Sequence, residues 1–189
     1  PYGGGPGMVL KAEPLSLAMR VARLRAPVKP LVVHLSPSGY PLNQSWVRRL
    51  AQCQSLVLVA GRYEGIDQRF IDQEVDLELS VGDYILSGGE LAAMVVIDAV
   101  TRLLPGAVSD PRSVVEESFS EDNPGLDWPH YTRPENFNGL RVPEVLMRGD
   151  HQAIARWRQE QALKRTRERR PDLLDKQSSF ESNVTIEQS

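Results

Sequence analysis

Cysteine occurs once, at Cys53, so the chain cannot close an internal disulfide. That excludes a disulfide-stapled scaffold and makes a reducing, cytoplasmic setting the expectation. No run of apolar residues is long enough to cross a bilayer, so no membrane partner is expected. No secretory leader is visible, although the sequence opens at Pro1 rather than at a methionine. Histidine is also scarce. His34, His130 and His151 are scattered among turns, without the spacing of a metal cluster, so no protein-built metal site is expected. There is no G-x-G-x-x-G and no G-x-x-x-x-G-K-[ST]. A dinucleotide in a Rossmann pocket and a nucleoside triphosphate on a P-loop are thereby set aside.

What is present describes an ordinary globular protein. A chain of 189 residues suits one domain, or one domain with a small second one. A hydrophobic fraction of 41 % is enough for a core, and a charged fraction of 25 % is typical of soluble domains. The net charge of −3 does not by itself suggest nucleic acid, but its distribution does. Residues 148–170 carry eight basic side chains against Asp150, Glu160 and Glu168, a local balance of +5 that leaves −8 for the rest. Such a patch can steer a polyanion, or it can be a solvated helix face.

The pattern along the chain is that of an α/β fold with a parallel sheet. "LVVHLS" (31–36), "SLVLVA" (55–60) and "LELSV" (77–81) are short apolar runs with little alternation, as in strands covered on both faces. A helical pattern over 14–25 precedes them, and between them lie one over a segment capped by Asn43 or Ser45 and one over 66–73. A further helix is expected from Gly89 or Glu90 to about Leu104. Its Leu91, Met94, Val95, Ile97, Val100, Leu103 and Leu104 cover most of the circumference, which places it in the core or at a subunit interface. Composition then turns polar. We expect a domain over 1–106, a linker or lid over 107–135, and a small helical C-terminal domain over 136–189. The C-terminal helix should run from about Asp150 to Glu168 and pack through Ile154, Trp157 and Leu163, with the arginines facing elsewhere.

Glycine concentrates in three breaks that follow the three strands: "LSPSG" (35–39), "GRYEG" (61–65) and "SVGDYILSGG" (80–89). In a parallel sheet, loops leaving the carboxyl ends of the strands converge on one crevice. Glycine leaves backbone N–H and C=O groups exposed there, which suits a nucleoside. The alternative is that these glycines are ordinary turns. "PYGGGPGM" at the start reads as another loop.

Taken together, "PYGGGPGM", "GRYEGID", "SVGDYILSGGE", "ESF" (close to the commoner "DSF") and "PHYTRP" resemble the bacterial tRNA (guanine-N1)-methyltransferases of the SPOUT class. The resemblance covers Pro1 to about Leu174. It implies a parallel sheet tied into a deep trefoil knot, and a homodimer with active sites at the interface. The implied reaction transfers a methyl group from S-adenosylmethionine to N1 of guanosine 37 in tRNA. Members of that family begin about fifty residues earlier, so the sequence is expected to lack that opening portion. Residue by residue, the resemblance assigns the cofactor pocket to Leu35, Ser36, Pro37, Gly61, Tyr63, Glu64, Ser80, Val81, Gly82, Tyr84, Leu86, Gly88 and Gly89. His34 stands where the family often has Tyr and reads as structural.

The implied chemistry needs few parts. N1 of guanine bears a proton that must leave before it can act as nucleophile, and a carboxylate can take it. Charge then builds on O6, where an arginine can stabilise it. The resemblance maps these roles to Glu117 and Arg102, with Glu116 as the alternative acid. Arg102 could instead pair with Asp98 one helical turn away. Glu64 is placed to offset the sulfonium charge. The family reaction is linked to magnesium, which carboxylates and RNA phosphates could hold. Two other readings stay open: a SPOUT enzyme methylating a ribose 2′-OH, and an RNA-binding knot without turnover.

Overall fold

The computed structural model describes residues 1–110, 112–115, 117–120 and 123–175. They fall into two compact units, Pro1–Ser109 and Asp110–Ser189. In the first, the elements in order are helix α1 (Ala12–Arg25), strand β1 (Leu31–Pro41), helix α2 (Gln44–Ala51), strand β2 (Leu56–Ala60), helix α3 (Gln68–Glu74), strand β3 (Leu77–Ser80) and helix α4 (Glu90–Thr101). The strands pair in parallel in the order β2-β1-β3. This is the α/β architecture that the unalternating apolar runs require.

Successive residues of the central strand serve opposite faces. Val33 and Leu35 pack with Trp46, Val47 and Leu50 of α2 and Ala92, Val96 and Val100 of α4. Val32 packs with Met19 of α1, Val59, Ile66 and Phe70 of α3. Each fully buried side chain of this kind contributes about 1.5–3 kcal/mol. Asn43 caps α2, its Oδ1 accepting the Trp46 N–H at 3.1 Å. Asp67 caps α3 by accepting the Arg69 N–H at 3.0 Å. The Arg69 side chain also binds that carboxylate and holds its pKa down at about 2.

Strand β1 departs from expectation. Rather than ending near Ser36, it runs on to Pro41. Leu35 and Tyr40 both lie opposite Leu79, so the residues between them form an irregularity within a continuing strand. Gly39 makes this possible. A Cβ there would lie 2.5 Å from the carbonyl carbon of Glu78, which leaves no space for any side chain.

Helix α4 is buried along one stripe only, through Ala92, Val96 and Val100. Leu91, Met94, Val95 and Ile97 are each about half exposed or more, with fractional exposures of 49–63 %.

The second unit holds helix α5 (Arg112–Val115), a hairpin of β4 (Asn136–Phe137) and β5 (Leu140–Arg141), a 3₁₀ turn at Glu144–Leu146, helix α6 (His151–Arg169) and helix α7 (Asp172–Asp175). The hairpin was not anticipated, yet its Asn138-Gly139 pair, with φ of 52° and 86°, is the sequence signal for such a turn. Asp150 caps α6 by accepting the Gln152 and Ala153 N–H groups, both at 3.0 Å. The buried face of α6 is set by Ala162 and Thr166, whereas Leu163 is exposed, contrary to expectation. The Thr166 hydroxyl donates to the Ala162 carbonyl at 2.8 Å and accepts the Leu126 N–H at 2.9 Å. Part of the stretch read as a linker is therefore hydrogen-bonded to α6. Residues 176–189 lie outside the described residues.

Candidate functional site

Three segments border a cavity of about 390 Å³: the irregular stretch within β1 and the loops that leave β2 and β3. Leu35, Ser36 and Pro37 line it from the first segment, and Gly61, Tyr63 and Glu64 from the second. Ser80, Val81, Gly82, Tyr84, Leu86, Gly88 and Gly89 line it from the third. The residues singled out in the sequence as one pocket are thus brought to one place. Sequence reasoning did not include Ser38, Arg62, Ile85, Ser87 and Ala92 in the lining, nor did it assign His34 to the wall.

The second and third loops are laced together. Arg62 and Gly88 form an antiparallel bridge, and the Gly89 N–H donates to the Gly61 carbonyl at 2.8 Å. A Cβ on Gly89 would lie 2.9 Å from Ala60 Cα and 3.1 Å from the Gly61 nitrogen, so α4 starts directly against the end of β2. Gly88 is different. The nearest atoms that a Cβ there would meet belong to the side chains of Glu90 and Arg62. Arg62 Nε donates to Glu90 Oε1 at 2.6 Å. Glu90 titrates below its ordinary value because its own backbone N–H binds the carboxylate, with Arg62 adding to the effect.

The third loop is ordered from within. Ser80 Oγ accepts the Gly82 N–H at 3.2 Å, and the Tyr84 hydroxyl donates to the Val81 carbonyl at 3.2 Å. The glycine-rich opening of the chain runs beside the second loop. The Glu64 N–H donates to the Met8 carbonyl and the Leu10 N–H to the Gly65 carbonyl, both at 2.9 Å.

His34 is buried in the central strand, opposite Glu78 on β3. Its Nδ1 lies 2.8 Å from Glu78 Oε1. A carboxylate can only accept, so Nδ1–H is the donor. The structural reading of His34 therefore acquires a definite partner, at the wall of the cavity.

Arg102 caps the carboxyl end of α4, its backbone N–H donating to the Asp98 carbonyl at 3.1 Å. Glu117 belongs to the other unit, where its carbonyl accepts the Ser120 N–H at 3.3 Å. Glu116 lies outside the described residues. Among the described residues no three His, Cys, Asp or Glu side chains form a metal-holding group.

The basic stretch is partly committed. Arg148 pairs with Glu144 and Arg170 with Asp172, both at 2.7 Å. Arg165 donates to the Asp127 carbonyl at 3.3 Å, and the Arg158 guanidinium lies 4.8 Å from the Trp128 ring centre. Not all the arginines face away from the packed side, as was expected. Arg156, Arg167 and Arg169 are exposed.

Residues 1–176 match the family described as tRNA (Guanine-1)-methyltransferase TrmD. The chain is 58 % identical over 178 residues to a tRNA (guanine-N(1)-)-methyltransferase of Stutzerimonas stutzeri, covering 94 % of this chain and 70 % of that relative. The same identity and coverage hold for the protein of that name from Pseudomonas savastanoi pv. phaseolicola. The one from Pseudoalteromonas atlantica is 55 % identical over 175 residues, covering 93 % of this chain and 65 % of that relative.

Proposed function

Because this chain belongs to the tRNA (guanine-N1)-methyltransferase family of the SPOUT class, we propose that it methylates guanosine 37 of tRNA. The enzyme transfers a methyl group from S-adenosylmethionine to N1 of guanine in tRNA. The observation that supports the siting is the convergence on one cavity of the irregular stretch within β1 and the glycine-containing loops that leave the carboxyl ends of β2 and β3.

The residues present fit the methyl donor. A volume of about 390 Å³ lies within the range of small-ligand pockets. Glycines in the wall open backbone groups to a nucleoside. Leu35, Ser36, Pro37, Gly61, Tyr63, Ser80, Val81, Gly82, Tyr84, Leu86, Gly88 and Gly89 would hold it, with Glu64 facing its positive charge. The donor supplies a methyl group already activated on a sulfonium. The protein therefore has to activate the acceptor. Glu117 takes the N1 proton, and Arg102 stabilises the charge that develops on O6. The magnesium linked to the family reaction would be held by carboxylates together with RNA phosphates, and no step is routed through it.

The division of labour we propose gives donor binding to 1–106, a lid to 107–135 and RNA contact to 136–189. The knotted form of the sheet belongs to the same proposal, as does a cytoplasmic homodimer. The exposed Leu91, Met94, Val95 and Ile97 of α4 support a subunit interface there. No described helix is long and apolar enough to cross a membrane.

The decisive experiment maps the methyl group. Incubation with labelled donor and a tRNA transcript bearing guanosine at position 37 should yield N1-methylguanosine, and an adenosine-37 transcript should yield none. Label on a ribose O2′ would favour the other SPOUT chemistry. Donor binding without any transfer would favour a binding module.

RNA contact has its own test. Changing Arg156, Arg167 and Arg169 together to glutamine should weaken tRNA binding. It should also flatten the plot of log affinity against log salt by about 2–3 units, up to one per lost phosphate contact. An unchanged slope would make the stretch a solvated face.

A further inference from the structure

We infer that the His34–Glu78 pair sets how strongly the cavity prefers a cationic sulfonium ligand to the neutral thioether left after methyl transfer. This inference rests on reading the cavity as the methyl-donor site, and it concerns discrimination between substrate and product. His34 lines the cavity and is only 5 % exposed. Its Nδ1–H is committed to Glu78 Oε1 at 2.8 Å across the β1–β3 pairing. The neutral ring must therefore carry its lone pair on Nε2. That nitrogen sits against Gly61, where an added Cβ would come within 3.4 Å of it. Neither Nε2 nor any other His34 atom is among the buried, unpartnered polar atoms of the described residues. The wall at Gly61 thus puts a titratable group, tied to a carboxylate, at the cavity's edge.

The charge arithmetic follows. With His34 neutral the pair carries −1, and with His34 protonated it carries none. A cavity of about 390 Å³ is roughly 9 Å across if round, so every ligand atom within it lies close enough to sense that change. The sulfonium is favoured by the −1 state, whereas the thioether has no net charge at sulfur to respond.

The other charged groups on the elements around His34 are these. Just before β3, Asp76 Oδ2 accepts the Val32 N–H at 2.8 Å, and Asp83 lies in the loop after β3, between the cavity-lining Gly82 and Tyr84. Arg23 of α1 pairs with Glu74 of α3 at 3.0 Å, and Asp67 with Arg69 at 2.7 Å. Arg62 pairs with Glu90 at the start of α4. Glu64 lines the cavity from the second loop and adds negative charge whether or not His34 is protonated.

The test compares the affinities of S-adenosylmethionine and S-adenosylhomocysteine by calorimetry on the intact protein, from about pH 8 down to about pH 5.5. The expected result is that the ratio of affinities, donor over product, falls about tenfold as pH decreases. His34→Gln should remove that fall, and Glu78→Gln should lower the ratio already at the upper end of the range. A wild-type ratio independent of pH overturns the inference while leaving the donor site intact. So does a pH dependence that persists in His34→Gln, because it would then belong to another group such as Glu64. Failure of the wild type to bind either ligand overturns the donor-site reading itself, and the inference with it. Glu78→Gln keeps the imidazole and tests the charge even if His34→Gln folds poorly.

Discussion

Glu117→Gln is expected to slow single-turnover methyl transfer by about 10²–10⁴-fold, the usual effect of removing a positioned acid–base group. The change preserves size and polarity but removes the carboxylate proposed to accept the guanine N1 proton. Donor affinity should stay near the wild-type value, because Glu117 is not among the residues that line the cavity. Glu116→Gln is the control, since the neighbouring acid is one residue away and the commoner aspartate is replaced here by glutamate. A collapse of the rate in Glu116→Gln alone would move the proton acceptor to that position. Near-normal transfer by both variants would sink a linker carboxylate as the base. Arg102→Ala should lower the chemical rate to a comparable extent by removing the cation proposed to stabilise O6. It lies at the carboxyl end of α4, so a thermal melt must accompany the assay. Loss of rate with an unchanged melting temperature assigns the loss to chemistry rather than to helix stability.

The second large effect is expected at the crossing of β2 and α4. Gly89→Ala places a methyl group 2.9 Å from Ala60 Cα and 3.1 Å from the Gly61 nitrogen. Both neighbours are backbone, so relief requires moving a core strand or the first turn of α4. Overpacking of this kind costs about 1–3 kcal/mol or more, and here it also spreads the loops that bound the cavity. A clear fall in melting temperature together with at least tenfold weaker donor binding is expected. Gly88→Ala is the instructive partner. The nearest atoms to its methyl group belong to the Glu90 carboxylate and the Arg62 side chain. Both are exposed and can swing away at the expense of their surface ion pair, a weak interaction in water. Equal losses in the two variants would contradict the assignment of the pinch point to Gly89. Gly39→Ala should resemble Gly89→Ala, because its methyl would press on the backbone of Glu78 and Leu79.

Much of this protein was written in local pattern. Continuous apolar runs at 31–36, 55–60 and 77–81 determined a parallel sheet covered on both faces, since only doubly buried strands dispense with alternation. Glycine clusters after each run marked the crevice, and the motifs across the chain carried the family. Asn138-Gly139 also announced its hairpin, though that signal went unread. What only the tertiary structure decided depends on which segments meet. The extension of β1 past Pro37 follows from the close run of Gly39 along β3, a partner that no local window contains. Gly88 and Gly89 are adjacent and chemically identical, and only the approach of β2 makes the second the tight one. The burial of α4 on a single stripe reflects how little of its apolar surface this unit covers. The packed face of α6 is set by Leu126 and Asp127, some forty residues earlier, which bind Thr166 and Arg165. His34 acquires its place beside the cavity because the β1–β3 register sets Glu78 opposite it. Propensity and periodicity act over a few residues, whereas these contacts join side chains and backbone brought together by the fold.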